Sequence, residues 1–236
     1  MPKRKNYLIT NGIYHVVARG IEGKDIFNDE KDYLRAIYNL FEFNDINLTQ
    51  WRYRQLYGKR HYEDGDRSNL IKRERDLVVE VLAFCFMPNH VHLLLKQIKE
   101  GGITKFMRKF GTGYANYFNK KYERQGYLFQ GRFKSVHIKT DNQLQSVFVY
   151  IHTNPAILVD SNWKEGEVKK PKEIIAFIEN YRWSSYKDYL GNKNFPAVTQ
   201  RDIIEEIMSA EKWRKFVNEW VQFKELKGRD EIVELE

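Results

Sequence analysis

Two histidines separated by a single residue are the most suggestive chemical feature of this sequence. His90 and His92 occur in the apolar stretch MPNHVHLLL, where neither ring is needed for packing. Alternate residues of a strand project from the same face, so the two imidazoles could reach one ion. An H-x-H string by itself is a weak signal, because such pairs are more often accidents of a surface or a core.

A second pair of polar side chains has the spacing of a helix. Tyr150 and Asn154 are four residues apart in DNQLQSVFVYIHTNP and therefore share one helical face. Tyr150 could simply pack, and Asn154 before Pro155 is also an ordinary helix terminator. Together with the two imidazoles, however, the amide oxygen could hold a hard divalent cation with positions left open for water and phosphate oxygens.

The elements that must position these groups follow from the hydrophobic pattern. β-Branched and aromatic alternation predicts strands, and apolar residues at helical spacing predict helices, the last of which we expect to be capped by Asp141 or Asn142. The two strands around Pro88-Asn89 form a hairpin with a short turn. The order strand, helix, strand, strand, helix, strand, helix predicts an α+β fold with a ferredoxin-like βαββαβ core and an antiparallel sheet. The predicted strands are 12–19, 77–87, 90–96 and 132–139, and the helices begin near 29, 103 and 141.

The remaining segments read as additions to this core. Residues 47–76 are polar and rich in turn formers, which predicts an insertion loop without a core. A lysine-rich loop follows the last core helix, and residues 199–227 have a helical pattern that could pack on the core or pair with another copy. We therefore expect a domain over residues 1–160 and a partly helical C-terminal extension over residues 161–236.

Composition places the chain among globular proteins. Its 236 residues are 42% hydrophobic and 31% charged, which excludes collagen-like, disulfide-scaffold and wholly disordered classes. No apolar run approaches the roughly 18 residues of a membrane span, so no membrane partner is expected. The single cysteine, Cys85, lies in a stretch typical of a buried strand, and a reducing cytoplasm is the expected location.

The net charge of +8 is concentrated in one stretch. Residues 101–140 contain nine basic residues and one acid, interleaved with aromatic rings, a combination that suits phosphates and unstacked bases. Lys105, Arg108 and Lys109 are candidate DNA contacts in this stretch. A solvated amphipathic helix whose rings face the core would show the same pattern.

Several separate motifs, in order, resemble one known family. MPNHVHLLL is followed by YANYFNKKYERQGYLFQGRFKS, then by YIHTNPAILV and YRWSSYKDYL, and the opening YHVVARGIEGKDIFND fits the same pattern. From about Tyr14 to Leu190 the chain resembles the REP-associated tyrosine transposases, within the IS200-like superfamily of single-tyrosine HUH transposases. Residues 47–76 and the tail beyond about 190 are longer than is usual there.

The resemblance implies a role for each matching position. His90, His92 and Asn154 match the ligands of a divalent metal, Mg²⁺ or Mn²⁺, and Tyr150 matches the nucleophile that forms a covalent 5′-phosphotyrosine. It implies single-stranded or hairpin DNA as the partner, a monomer or homodimer, and a cytoplasmic, nucleoid-associated enzyme that nicks and joins DNA. Arg19, Arg132 and Lys134 match basic positions that could bind phosphates, and Trp183-Ser184-Ser185 matches a signature of unclear role.

Other interpretations remain open at this point. The chain could be a DNA-binding protein of the same fold that no longer cuts, a module that binds structured RNA, or a protein with a two-histidine zinc site. Since the ordinary pKa of a tyrosine phenol is about 10, some group must help remove its proton. The candidates are His15, His137 and His152, each more readily explained as structural. Tyr114 and Tyr117 are expected to pack or to face DNA.

Overall fold

The computed structural model describes residues 7–46, 75–165, 168 and 170–224, and these contain one four-stranded sheet. The strand order is β2-β3-β1-β4, and all three pairings are antiparallel. This is the strand order of the ferredoxin-like βαββαβ arrangement, so the predicted fold class is confirmed. The strands are β1 (Ile13–Arg19), β2 (Val79–Met87), β3 (His90–Gln97) and β4 (Lys134–Ile138).

Two helices cover the first face of the sheet, α1 (Glu30–Glu42) and α2 (Gly102–Lys121). α1 begins with a capping box in which the Asp29 side chain accepts from the backbone N–H of Asp32, and the Asp32 carboxylate accepts in return. The interior of this layer is aromatic and apolar, since Phe106 and Phe110 of α2 are fully buried against the alternate residues of the strands.

The second face of the sheet is covered by α3 (Asp141–Thr153) and by helices of the C-terminal region. Trp213 is fully buried, with its ring centroid 4.2 Å from that of Phe148 in α3. The tail therefore packs on the core, which is one of the two arrangements expected for it. The C-terminal helices are α4 (Pro171–Asn180), α5 (Tyr186–Tyr189), α6 (Asp202–Ile207) and α7 (Ala210–Lys224).

Two details of the predicted elements are wrong. The cap of α3 is Thr140, whose hydroxyl accepts from the Gln143 backbone N–H at 3.2 Å, and Asp141 and Asn142 are the first helical residues. Part of the expected lysine-rich loop is helix α4, which begins at Pro171, a residue suited to the first helical turn. Most of the predicted insertion lies outside the described residues. Within them, no helix is long and apolar enough to cross a membrane.

The signature Trp183-Ser184-Ser185 pairs with the outer edge of β2. The Phe86 backbone N–H donates to the Trp183 carbonyl at 2.9 Å, and the Ser185 N–H donates to the Phe84 carbonyl at 3.0 Å. The Ser185 hydroxyl also accepts from the Phe84 N–H at 3.0 Å. The unclear signature is thus a structural element that continues the sheet beyond β2.

Candidate active site

Strand register gathers three histidines on the second face of the sheet. Val17 of β1 lies opposite His92 of β3, and Arg19 lies opposite His90, so these residues share a face with His15. His15 and His92 are fully buried, and their ring nitrogens Nε2 and Nδ1 are 2.9 Å apart. His15 therefore belongs to the site itself.

Tyr150 of α3 stands over the same histidines. Its ring centroid lies 5.8 Å from that of His15 and 5.6 Å from that of His92, and both contacts are edge-on. His90 completes the group, since its ring centroid is 4.7 Å from that of His92. Tyr150 is only half-buried, so its side chain is the part of the cluster that solvent reaches most.

Each histidine of the H-x-H pair has a partner at Nδ1. The Asn89 side-chain oxygen lies 2.6 Å from His90 Nδ1, while the Asn89 amide nitrogen donates to the Gly23 carbonyl. His92 Nδ1 has His15 Nε2 as its partner. If both histidines carry their proton at Nδ1, the second nitrogen of each ring, Nε2, is the one with an available lone pair. Holding Nδ1–H in this way is how proteins orient metal-binding histidines.

Asn154 lies at the end of α3, with 5% of its surface exposed. Its side-chain nitrogen donates to the Tyr150 backbone carbonyl at 3.2 Å, which attaches it to its own helix. The structure thus joins His90, His92 and Tyr150 through ring contacts, whereas the hydrogen bond of Asn154 is to the backbone of α3. Asn154 is four positions after Tyr150, which keeps both on one face of that helix.

The two alternative tyrosines lie on the opposite face of the sheet. Tyr114 is fully buried in the first core, its hydroxyl donates to the Ile26 carbonyl, and this burial raises its pKa well above the usual value. The Tyr117 hydroxyl donates to the Asp32 carboxylate at 3.1 Å. Neither phenol faces the histidine cluster.

His152 and His137 have structural surroundings. His152 is fully buried beside the Ser185 hydroxyl, with 2.8 Å between Nε2 and Oγ, and burial lowers its pKa to about 3. His137 lies on the first face of the sheet, where its ring stacks on Tyr14 with centroids 4.7 Å apart. Of the three histidines considered for assisting Tyr150, His15 alone touches its ring among the described contacts.

The six candidate DNA-contacting cations occupy different surroundings. Arg19 and Lys134 are exposed at the end of the sheet where the histidine pair begins. Arg108 and Arg132 line a groove on the other face, and Lys105 is exposed on α2. Lys109 has a structural contact, because its ammonium donates to the Asp45 carbonyl at 2.7 Å and burial lowers its pKa.

His90, His92 and Asn154 could hold a metal ion only if that ion keeps most of its ligands outside the protein. No group of three or more His, Cys, Asp or Glu side chains within the described parts of the chain is arranged to enclose an ion. The histidine pair with oriented Nε2 atoms, and Asn154 nearby in sequence to Tyr150, would leave positions for water and phosphate oxygens. Such an open set suits Mg²⁺ or Mn²⁺ at a phosphate better than a closed zinc site.

One family model matches part of the chain. Residues 48–154 match the family model described as Transposase IS200 like, which includes β2, β3, α2, β4 and α3. β1, with His15 and Arg19, precedes the matched range. No curated protein matches this chain.

Two solved structures are similar to the chain as a whole. One is a REP-associated tyrosine transposase bound to a REP hairpin, with 15% identity, a TM-score of 0.45, and coverage of 86% of this chain and 93% of that chain. The other is tRNA(His) guanylyltransferase from Saccharomyces cerevisiae, with 10% identity, a TM-score of 0.36, and coverage of 94% and 80%.

Proposed function

We propose that this chain, which carries an IS200-like transposase domain over residues 48–154, is a metal-dependent endonuclease and strand transferase that acts on single-stranded DNA near hairpins. The observation that supports this most directly is the edge-on contact of Tyr150 with His92 and His15 on one face of the sheet. A phenol beside an oriented histidine pair supplies both a nucleophile and metal ligands for phosphoryl chemistry.

Each residue has a defined part in the proposed reaction. The Tyr150 phenolate oxygen attacks the scissile phosphorus, the bond from phosphorus to the 3′ oxygen breaks, and that oxygen takes up a proton to leave as a 3′-hydroxyl. The product is a 5′-phosphotyrosine, which conserves the energy of the broken bond for rejoining. His90, His92 and Asn154 would hold the metal, which when bound neutralises the nonbridging phosphate oxygens.

His15 acts as a positioning residue in this proposal. We assign its Nε2, 2.9 Å from His92 Nδ1, as the acceptor of the Nδ1–H, which would fix the tautomer of His92, and its ring makes an edge-on contact with the Tyr150 ring. Asn89 does the same for His90 from the turn of the hairpin. Arg19 and Lys134, exposed at the same end of the sheet, are placed to attract the DNA backbone.

Covalent capture tests the proposal. The purified protein is incubated with labelled hairpin oligonucleotides from DNA flanking its gene, with Mg²⁺ or Mn²⁺, and run on denaturing gels. We expect a protein-linked band that requires metal, disappears in Tyr150→Phe and His90→Ala, and persists in Tyr7→Phe, whose ring is 86% exposed away from the core. A band that persists in Tyr150→Phe would assign the nucleophile to another residue.

A second candidate function is a DNA-binding protein of the same fold that does not cut. The groove lined by Arg108 and Arg132, away from the histidines, could bind DNA without any chemistry. In the same experiment, hairpin binding without a covalent band in either metal would favour this alternative.

A further inference from the structure

A groove with a volume of about 740 Å³ lies between α2 and the loop that leads into β4. It opens on the face of the sheet opposite the histidines, since Ala18 at its floor belongs to the first core. The lining includes two cations, Arg108 and Arg132, and no carboxylate. We infer that this groove is a binding site for an unstacked nucleobase and its phosphate from the single-stranded DNA beside a hairpin.

Gly111 forms part of the groove wall in the middle of α2. A glycine inside a helix costs about 1 kcal/mol relative to alanine. The second interior glycine, Gly113, is required by packing, because a Cβ there would lie 2.4 Å from the Phe43 ring. At Gly111, a Cβ would meet only the Phe129 ring at 3.9 Å, an ordinary contact. Packing therefore does not require this glycine, and its lack of a side chain leaves this wall of the groove open.

The walls have the chemistry that a base requires. Phe129 and Phe133 are partly buried against the first core, and the Tyr127 ring is 84% exposed at the rim. Such rings stack on bases without regard to sequence. Asn119 donates from its amide nitrogen to the Gly126 carbonyl, while its amide oxygen, shielded from solvent, has no hydrogen-bond partner. Asn119 thus brings a buried, unsatisfied acceptor to the wall of the groove.

The position of the groove connects it to the proposed reaction. Arg132 and Phe133 immediately precede Lys134, the first residue of β4, which lies opposite Val17 beside the histidine pair. The Gln130 backbone N–H donates to the Arg19 carbonyl, which fixes the loop to that end of the sheet. A strand whose phosphate lies at Tyr150 can thus pass around the start of β4 into the groove. The inference rests on the proposed function in its choice of DNA as the ligand.

Filling the groove tests this assignment. Gly111→Leu places a branched side chain in the space, and Gly111→Ala is its matched control with the same gain in helix propensity. Binding of two probes is measured by fluorescence anisotropy: a blunt hairpin, and the same hairpin with a single-stranded flank containing 2-aminopurine. For the flanked probe we expect Gly111→Leu to weaken binding about tenfold or more and to abolish the 2-aminopurine quenching caused by stacking.

The controls separate this inference from the proposed function. Gly111→Ala should bind both probes like the wild type, and Gly111→Leu should still bind the blunt hairpin. Tyr127→Ala, at an exposed rim position, should also weaken binding of the flanked probe, which provides a test independent of helix α2. Unchanged flanked-probe binding in Gly111→Leu would overturn the groove assignment even if the covalent band forms. If Gly111→Leu weakens binding of the flanked probe but the wild type never forms the covalent band, the groove assignment stands and the nuclease proposal is rejected.

Discussion

Each face of the sheet contains a tyrosine of interest, but the two phenols differ in burial and in their neighbours. On the first face, Tyr114 is fully buried, its hydroxyl donates to a backbone carbonyl and its pKa is raised by burial. On the second face, Tyr150 is half-buried with its ring against His15 and His92. The difference teaches that the surroundings of a phenol, and not its presence in an aromatic stretch, determine whether it can react.

The largest effect should separate the two tyrosines. Tyr150→Phe removes the proposed nucleophile, so we expect the yield of covalent DNA adduct to fall about 10⁴-fold or more. Tyr114→Phe should leave the adduct yield within a few-fold and lower the free energy of unfolding by about 1 kcal/mol, the usual loss for one hydrogen bond. Gel quantification and urea titration measure the two quantities. An equal loss of adduct in both variants would contradict the assignment of the nucleophile to Tyr150 rather than Tyr114.

A smaller effect should separate the histidines of the two faces. His15→Ala removes the hydrogen-bond partner of His92 Nδ1, which the proposal treats as the acceptor for Nδ1–H, so Mn²⁺ affinity, measured by electron paramagnetic resonance, should fall about 10- to 100-fold. His15→Gln, whose amide oxygen can accept the same hydrogen bond, should recover most of that affinity. His137→Ala on the first face is the control and should bind Mn²⁺ like the wild type. An affinity unchanged in His15→Ala would deny this residue its positioning role.

The pH dependence of stability should report on the buried histidine behind Tyr150. Burial lowers the pKa of His152 from 6.5 to about 3. Between these two pH values the imidazole is therefore mostly protonated in the unfolded chain and mostly neutral in the folded chain. Its contribution is fully present above pH 6.5, and the free energy of unfolding should decrease by up to about 1.4 kcal/mol per unit as pH falls from 6.5 towards 3. Urea titrations of wild type and His152→Gln should show a shallower decrease in the variant. Parallel curves would contradict this explanation.

The smallest effect should distinguish the two glycines of α2. Gly113→Ala places a Cβ against the Phe43 ring and should destabilise the fold by about 1 kcal/mol or more. Gly111→Ala meets no such obstacle and should stabilise it by up to about 1 kcal/mol through helix propensity. Urea titration of both variants gives the sign directly. Stabilisation in both variants would show that helix propensity outweighs the contact with the Phe43 ring.

Local patterns in the sequence predicted most of the core. The hairpin around Pro88-Asn89 and the helix with Tyr150 have strong periodicity and clear end signals, and both are confirmed. Helix α4 was missed because its lysines and flanking polar residues resemble a loop. Its Ile174 and Ile178, four residues apart and fully buried, were the available signal.

The site could be predicted only in part. His90 and His92 were visible through their spacing, but the closeness of His15 depends on the pairing of β1 with β3, which are far apart in the chain. Strand alternation shows which residues share a face, whereas register between distant strands is set by tertiary packing. For the same reason the sequence does not predict that Arg19 and Lys134 lie near the histidines while Arg108 and Arg132 line the groove on the other face. Lys109 lies in the basic stretch that predicts DNA contacts, but its ammonium donates a hydrogen bond to the Asp45 carbonyl.

The segment that continues the sheet beyond β2 has a consequence for self-association. An unpaired outer strand is a template onto which another chain can add. Trp183 and Ser185 use the backbone groups of Phe84 and Phe86, and the Tyr181 hydroxyl donates to the Phe86 carbonyl at 2.8 Å. A chain shortened before Tyr181 would expose that apolar strand and should form insoluble β-rich aggregates. We thus expect the C-terminal region to protect the protein from polymerisation.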